Sequence, residues 1–439
     1  MKKILNILLC MALIFGIAAC GLADDPTPPA PAPTPNQPDQ GNQPADPQPG
    51  DTTPPPAEIQ YSQGATATEV RVGNSAVQSG GLAIVGVPFN IGIQSYFRMV
   101  NETGGIDGRT ISFWNTDDEF DPAKGKAALE EMVEDEQLFA IVGATGTPVV
   151  AAIIEDMKDY GIPCVYFATG IPQLHSNGAR TNQEGFNIFP VQPLYETEGR
   201  ILAAFSKGLF NATKIGIIYS NDDAGITLLK GAELQVAEMP GITLVAEQVV
   251  AGSPDVSAAV TSIKNADVDI VIVAAIQDTC PTIVKELAAQ GMDVPAISSY
   301  VNAGTDTSEA VVDAITGRFD FYATAWVDAY DMETFAIYSQ WIPEEFLINP
   351  YAMAGWIAGA TFAEGLRRIE GQDITWENYM RALEEAPIFL PFGAAVDYAN
   401  GNRWGTQSMS LSKVVPVSEE FALGWEPVAP MTNMADLLR

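Results

Sequence analysis

The stretch FAIVGATGTPVVAA (139–152) predicts a strand, a loop of small residues and a helix in immediate succession. Apolar residues run into Gly143, and the segment after the loop has a helical pattern. At such a junction, free backbone N–H groups and the positive end of the helix dipole face the same point. The stretch therefore predicts a site for a carboxylate or another small polar group, held by neutral donors.

The same alternation of strands and helices continues along the chain and occurs in two sets. The first set predicts strands at 70–74, 111–117, 139–143 and 163–167, with helices at 82–103, 122–135 and 148–160. The second set predicts strands at 214–220, 242–250, 269–275 and 295–299, with helices at about 225–239, 256–266 and 281–290. Alternation of this kind, with apolar runs in the strands, indicates parallel sheets covered by helices on both faces. The fold class is therefore predicted to be α/β, with two Rossmann-like lobes.

Ligands of open α/β sheets gather beyond the carboxyl ends of the strands, so the loops after each strand are the candidate site. In the first set these loops are 74–81, 143–148 and 168–173, and in the second they are 220–225, 276–281 and 299–304. Ser79, Thr147 and Thr169 offer hydroxyl donors in the first set. The alternative is that these residues only cap helices.

Composition excludes several classes of function. The chain has 439 residues with 22 basic and 55 acidic side chains, a net charge of −33, so binding of nucleic acid through phosphate contacts is not expected. His175 is the only histidine and no CxxC pattern occurs, which argues against a metal site, a cofactor and a His-based catalytic triad. The acidic run TDDEFD (116–121) is expected to be a solvated turn.

The N-terminus predicts export and membrane attachment. Residues 1–19 contain two lysines, a short apolar stretch and small residues, which is the pattern of a signal peptide. The ending IAAC resembles a bacterial lipobox, in which Cys20 is acylated; the alternative is an ordinary signal peptide with a chance cysteine. Thirteen of the 31 prolines lie between Pro26 and Pro56, so residues 20–68 are predicted to form the lipid anchor and a disordered, extended stalk. The globular body is expected to start near Glu69.

Two cysteines, Cys164 and Cys280, remain once Cys10 leaves with the predicted signal peptide and Cys20 is acylated. Cys164 lies in the apolar run IPCVYF and is expected to be a buried small hydrophobe. Cys280 precedes a proline at a predicted helix start, where a thiolate is mildly favoured. A disulfide between the two is the alternative.

From about residue 69 to 415 the sequence resembles the type I periplasmic binding proteins, in particular the branched-chain amino-acid (leucine/isoleucine/valine) group that serves ABC importers. The stretches that carry the resemblance are VRVGNSAVQSG, VNETGGIDGRTISFWNTDDEFDPAKGKAALEEMV, IVGATGTPVVAAI and GIPCVYFATGIPQL. The resemblance implies two lobes joined by a three-strand hinge, with crossings expected near Gln192, Ala323 and Gly393. The lobes would comprise 69–192 plus about 324–392, and 193–323 plus about 393–439.

The resemblance also implies a ligand site. The family holds the ligand carboxylate at positions that match Thr147, Ala168 and Gly170, and Thr169 is adjacent. The family's ammonium-binding acid would fall at about Tyr300, where this chain has no carboxylate.

The ring contacts of the family would fall at Val85, Ala224 and Ile276, where this chain has aliphatic side chains. Asp222 or Asp223 could replace the missing acid. The other possibility is a ligand with a polar head and an apolar body but no ammonium. Four aromatic residues were expected to lie in the core or between the lobes, with Tyr351 the one that could reach the cleft: Trp326, Tyr330, Tyr351 and Trp356.

Three functions fit the sequence to different degrees. The first is a non-enzymatic, monomeric lipoprotein outside the bacterial cell membrane, which captures a small amino acid, carboxylate or amide and delivers it to an ABC permease. The second is a ligand-sensing receptor with the same fold, and the third, weaker one is an extracellular hydrolase.

Overall fold

The computed structural model describes residues 58–176, 178–182 and 185–439. The predicted signal peptide, Cys20 and most of the predicted stalk lie outside the described residues.

The first sheet consists of five parallel strands in the order β2-β1-β3-β4-β5. Its strands are β1 (Glu69–Ala76), β2 (Thr110–Asp117), β3 (Ala140–Thr145), β4 (Cys164–Ala168) and β5 (Ile188–Phe189). All six residues of β3 are buried, because helices cover the sheet on both faces. The stretch 139–152 thus forms the central strand of this sheet and the helix that follows it.

The second sheet has seven strands in the order β14-β13-β10-β9-β8-β6-β7. Its strands are β6 (Lys214–Ser220), β7 (Thr243–Val249), β8 (Ile270–Ala274), β9 (Ala296–Ser298), β10 (Phe321–Ala325), β13 (Ser408–Val414) and β14 (Trp425–Asn433). A separate two-stranded sheet pairs β11 (Ile388–Phe389) with β12 (Ala395–Val396). The predicted α/β class is confirmed, but β13 and β14 pair antiparallel, so the second sheet is mixed rather than purely parallel.

Thirteen α-helical segments occur in the described residues. They are α1 (Ala83–Glu102), α2 (Pro122–Glu130), α3 (Thr147–Tyr160), α4 (Ala179–Asn182), α5 (Tyr195–Gly208), α6 (Asp223–Ala237), α7 (Ser257–Asn265), α8 (Thr279–Ala289), α9 (Thr305–Ile315), α10 (Met332–Tyr338), α11 (Pro350–Arg368), α12 (Trp376–Glu385) and α13 (Met434–Leu437). A π-helical turn, Glu131–Asp135, extends α2, and single 3-10 turns occupy Pro172–Leu174, Tyr300–Asn302, Glu344–Phe346 and Ala399–Gly401. No helix in this part of the chain is both long and apolar enough to cross a membrane.

The chain passes between the two sheets three times. It leaves the first sheet after β5, returns after β10 to pack α11 against α1 and β3, and rejoins the second sheet at β13. The bounds of the predicted lobes stay a prediction; the structure shows which strands share a sheet.

The compact body begins earlier than the composition indicates, at Ile59 rather than near Glu69. Gln63 Nε2 donates to the carbonyls of Val133 and Leu138, at 3.3 and 3.1 Å. Residues 59–68 therefore belong to the compact body. Their contacts depend on particular side chains, such as Gln63, which the composition of the segment does not reveal.

Candidate functional site

A cavity of about 560 Å3 lies between the two sheets, at the carboxyl ends of their strands. The carboxyl ends of seven strands, or the loops after them, contribute to its wall: Val77 after β1, Phe120 after β2, 145–147 at the end of β3, Ala168 at the end of β4, 276–278 after β8, 300–304 after β9 and 325–330 at the end of β10. This is the position at which open α/β sheets bind ligands.

Three hydroxyl groups meet at the start of α3. The Thr147 and Thr169 hydroxyl oxygens are 2.9 Å apart, and the Tyr195 hydroxyl hydrogen-bonds with both. The N-cap residue is Gly146, in a left-handed conformation with φ of 87°, so no side chain caps this helix. The Thr147 hydroxyl therefore belongs to a cluster at the positive end of α3, on the wall of the cavity.

A second polar chain lies beside this cluster. The Tyr300 hydroxyl donates to Gln192 Oε1 at 3.2 Å, and Gln192 Nε2 donates to the Tyr166 hydroxyl at 2.9 Å. The Tyr195 and Tyr300 rings stack with their centroids 5.9 Å apart. Burial raises the pKa of Tyr300 well above its usual value, so its hydroxyl is neutral. Hydroxyl and amide groups, without charge, form this part of the site.

Glu198 lies behind Tyr300 and does not line the cavity. Its carboxylate accepts hydrogen bonds from Ser299 Oγ at 2.8 Å, from the Tyr300 amide at 2.7 Å and from the Thr324 hydroxyl. Burial raises its pKa to about 7 despite these three donors. Glu198 thereby links α5, which follows the first passage between the sheets, to the ends of β9 and β10.

The rest of the wall is largely apolar and aromatic. Its larger members are Val85, Phe89, Phe120, Ile276, Trp326, Tyr330, Tyr351, Leu423, Trp425 and Met431. Trp326, Tyr330 and Trp356 were predicted to lie in the core or between the lobes. Trp326 and Tyr330 line the cavity, whereas Trp356 packs against Tyr96 and Tyr338. Trp326 directly follows β10, so the rule that locates the other loops would have identified it had that strand been predicted.

Three aspartates are the charged members of the described wall: Asp278, Asp306 and Asp328. No lysine, arginine or histidine is present among the described residues that line it. Asp306 is exposed on this concave surface, but the protein around its carboxyl group excludes part of the water, and this desolvation raises its pKa; the negative charges of Asp278 and Glu309 raise it further.

Five of the predicted site residues line the cavity together, namely Val85, Thr147, Ala168, Ile276 and Tyr300. Thr169 and Gly170 lie behind them. Thr169 bonds to Thr147, and the Gly170 carbonyl accepts from the Tyr195 amide at 2.9 Å. A Cβ at Gly170 would lie 2.4 Å from the Pro193 carbonyl oxygen, which explains a glycine where the family commonly has threonine.

The other predicted residues lie outside the lining. Ser79 is exposed and hydrogen-bonds to Asp117, and Ala224 is fully buried in α6. Asp222 caps α6 by accepting from the Gly225 amide at 2.9 Å, and Asp223 is exposed in the first turn of that helix. Neither aspartate faces the cavity, so neither is placed to meet a charge there.

The structure also bears on the cysteines and on metal binding. Cys164 and Cys280 are buried free thiols, so the alternative of a disulfide between them is wrong. Burial raises the pKa of Cys280 to about 12, so the expected mild preference for thiolate is wrong. Among the described residues, no group of histidine, cysteine, aspartate or glutamate side chains is arranged to hold a metal ion.

Two α/β sheets that face one another across a cavity, with three chain passages between them, define the class of two-lobed solute-binding proteins. The chain belongs to the periplasmic binding protein family, whose sequence pattern matches residues 69–419. The type I fold that the sequence analysis inferred from resemblance is thereby confirmed, and membership implies an extracytoplasmic location.

Known relatives agree with this assignment. The Leu/Ile/Val-binding protein homolog 1 of Brucella abortus (strain 2308) is 23% identical over 308 residues, which is 69% of this chain and 80% of the relative. Among solved structures, a fatty acid ABC transporter substrate-binding protein from Thermomonospora curvata aligns with a TM-score of 0.72 and 19% identity, covering 87% of this chain and 97% of that one. A branched-chain amino acid ABC transporter protein from Thermus thermophilus with bound valine aligns with a TM-score of 0.72 and 17% identity, covering 85% and 99%. These relatives are binding proteins rather than enzymes.

Proposed function

We propose that the protein is a solute-binding lipoprotein that captures a small amino acid, or a related small carboxylate or amide, and delivers it to an ABC importer. The observation that carries this proposal is the cavity between the two sheets, which has neutral donors at one part of its wall and apolar side chains over most of the rest. Ligand sites commonly combine apolar walls with a few convergent polar groups, and their volumes run from about 300 to 1,000 Å3.

Each part of the wall has a role in this proposal. A polar oxygen of the ligand accepts from Thr147 or Tyr195 at the positive end of α3. The apolar body of the ligand is removed from water by Phe89, Trp326 and Ile276. Because both sheets contribute, closing the lobes around the solute is the working step.

Binding rather than catalysis is supported by the chemistry of the wall. His175 lies outside the lining, its Nδ1 is 2.8 Å from the Arg403 carbonyl oxygen, and burial lowers its pKa to about 4. A histidine base is therefore absent from the described cavity, and an acyl-transfer mechanism of the triad type has no base there.

The membrane part of the proposal comes from the N-terminal sequence. Acylation at Cys20 would anchor the protein outside the cell membrane, and the proline-rich segment would tether the body, a monomer, near a permease.

The test is a mass spectrum of small molecules released when the purified protein is denatured. A solute with a polar head and an apolar body, recovered in stoichiometric amount, is expected. Turnover of ester, peptide or glycoside substrates by the purified protein would contradict the proposal.

A further inference from the structure

The charge of the cavity wall selects among the ligands that the proposed function allows. Asp278, Asp306 and Asp328 line it, and no basic side chain lines its described part. A ligand whose only charge is a carboxylate would meet three like charges and no counter-charge, within a protein whose net charge is −33. The hydroxyl donors of the cavity wall alone would have to offset that repulsion.

Asp306 is close to an aromatic part of the wall. A Cβ atom built on Gly304 would lie 2.2 Å from Asp306 Oδ1 and 3.6 Å from the Tyr351 hydroxyl, so both groups flank this glycine. Trp425 Nε1 donates to the Gly304 carbonyl at 3.0 Å, which fixes the indole on the same side. A carboxylate on a wall without basic side chains suits a cation, which the negative charge attracts.

Asn302, in the 3-10 turn that precedes α9, supplies an independent observation. It lines the cavity and is 1% exposed, and its Nδ2 donates to the Ala275 carbonyl and to Ser298 Oγ, both at 2.8 Å. The Ser298 hydroxyl donates to the Val273 carbonyl, so both partners of Nδ2 are acceptors and the amide cannot be turned around. Asn302 Oδ1 is thus left without a donor among the described residues. A buried acceptor that lacks a donor is costly, and a ligand N–H would satisfy it.

We propose that the ligand carries a protonated amine that binds against Asp306 and Asn302, and that Asp306 is the residue that selects amine-bearing solutes. This inference rests on the proposed function. It places the cationic group at the start of α9, six residues beyond the position at which the family resemblance would put an acid. The other end of the solute, an uncharged or anionic acceptor, faces Thr147 and Tyr195.

Asp306 also lies in the first turn of α9, where an acid stabilises a helix through its dipole. A role confined to the helix would affect stability and leave ligand preference unchanged. The two roles therefore separate when unfolding of the free protein and binding are measured on the same variants.

The experiment uses the full mature chain and two pairs of probes that share an apolar body: leucine with 4-methylpentanoate, and 3-phenylpropylamine with 3-phenylpropanoate. Binding is measured by thermal shift and calorimetry for wild type, Asp306→Asn, Asp306→Glu and the control Glu309→Gln. Glu309 is exposed on the same helix and does not line the cavity, but its charge acts on the Asp306 carboxyl group, so this control removes one nearby charge and keeps the proposed contact group.

We expect the amine-bearing member of at least one pair to bind and its carboxylate-only partner to bind at least tenfold more weakly. Asp306→Asn should raise the Kd of the amine at least tenfold, whereas Asp306→Glu and Glu309→Gln should keep the preference. Binding of neither amine, equal binding within a pair that binds, or an unchanged Kd in Asp306→Asn would overturn the inference. A released native solute that lacks a basic nitrogen would overturn it too, while leaving the solute-binding function supported.

Discussion

Thr147 offers a hydroxyl group to the ligand at the start of α3, on the wall of the cavity. Replacing it with valine keeps the shape but removes a hydroxyl shared with Thr169 and Tyr195. A ligand oxygen left without this donor should lose about 1.5–3 kcal/mol if charged, which is roughly a tenfold loss of affinity or more. Calorimetry with the solute identified by mass spectrometry measures the change.

Thr147→Ser is the matched control, because it retains the hydroxyl and should lose much less affinity. Equal Kd values for wild type and Thr147→Val would mean that the hydroxyl only orders Thr169 and Tyr195.

Glu198 gives the fold a pH dependence of predictable sign. Its pKa is raised from 4.5 to about 7 in the folded protein, so between these pH values the folded state holds a proton that the unfolded state has released. The free energy of unfolding should therefore fall as the pH rises through this window, by on the order of 3 kcal/mol in total. Glu198→Gln should remove the fall, because glutamine does not titrate. Its side chain can still accept from the Tyr300 amide and donate to Ser299, so the fold should be kept. Urea unfolding from pH 4.5 to 8 tests this, and parallel profiles for the two proteins would contradict it.

The packing of α1 against α11 positions two aromatic residues of the cavity wall. A Cβ on Gly355 would lie 1.9 Å from the Phe89 carbonyl oxygen, so Gly355→Ala must push the helices apart. Phe89 and Tyr351, one on each helix, both line the cavity. We expect a loss of about 1–3 kcal/mol of stability, as for other overpacked cores, together with weaker ligand binding.

Gly208→Ala is the control for this change. Gly208 ends α5, it is exposed, and no atom lies within 4 Å of an added Cβ. The melting temperature of the Gly208→Ala variant should be unchanged or slightly raised, because alanine favours the helical conformation more than glycine does. Similar melting temperatures for both variants would contradict the close approach at Gly355.

The elements with a clear period could be predicted from the sequence. The segment 214–220 forms the predicted strand, and the predicted helix at 82–103 is observed at Ala83–Glu102. By contrast, β14 contains Pro427 and Pro430, which disfavour a strand by their missing N–H groups, yet they are tolerated here because β14 is an edge strand. Without β13 and β14, the sequence analysis could not place Trp425 in the cavity.

The site was predictable where it depends on strand ends and not where it depends on distant contacts. Ala168 ends β4 and Thr147 begins the helix just after β3, so their convergence follows from a parallel sheet. Asp306 was missed because its place on the wall depends on Gly304, Tyr351 and Trp425, which come from separate parts of the chain. Asp222 was a reasonable candidate by charge, but local hydrogen bonds to Ser220 and Gly225 hold it as a helix cap.

The proposed membrane attachment depends on one residue, Cys20, whose sulfur would carry the lipid. Cys20→Ser cannot be acylated, so the variant should move from the membrane to the soluble fraction. Fractionation followed by immunoblotting measures the distribution, with Cys164→Ser as a control that leaves the lipobox unchanged. Unchanged recovery of Cys20→Ser with membranes would remove the lipid anchor from the proposal.

We expect the two lobes to close around the solute, because residues after strands of both sheets line one cavity. Spin labels at Ala123 on α2 and Asp313 on α9, both exposed, would report the distance between the two sides. The native cysteines at 164 and 280 are buried, so in a background that lacks Cys10 and Cys20 the labels should react at the introduced positions.

Saturating solute should shorten the distance between these labels and reduce the radius of gyration in solution scattering. The compaction should be absent with a solute that does not shift the melting temperature, since only differential binding can shift the equilibrium between open and closed states. If a solute binds tightly while the label distance and the radius of gyration stay constant, the cavity is already closed without ligand. Delivery to a permease would then have to depend on a different change in the protein.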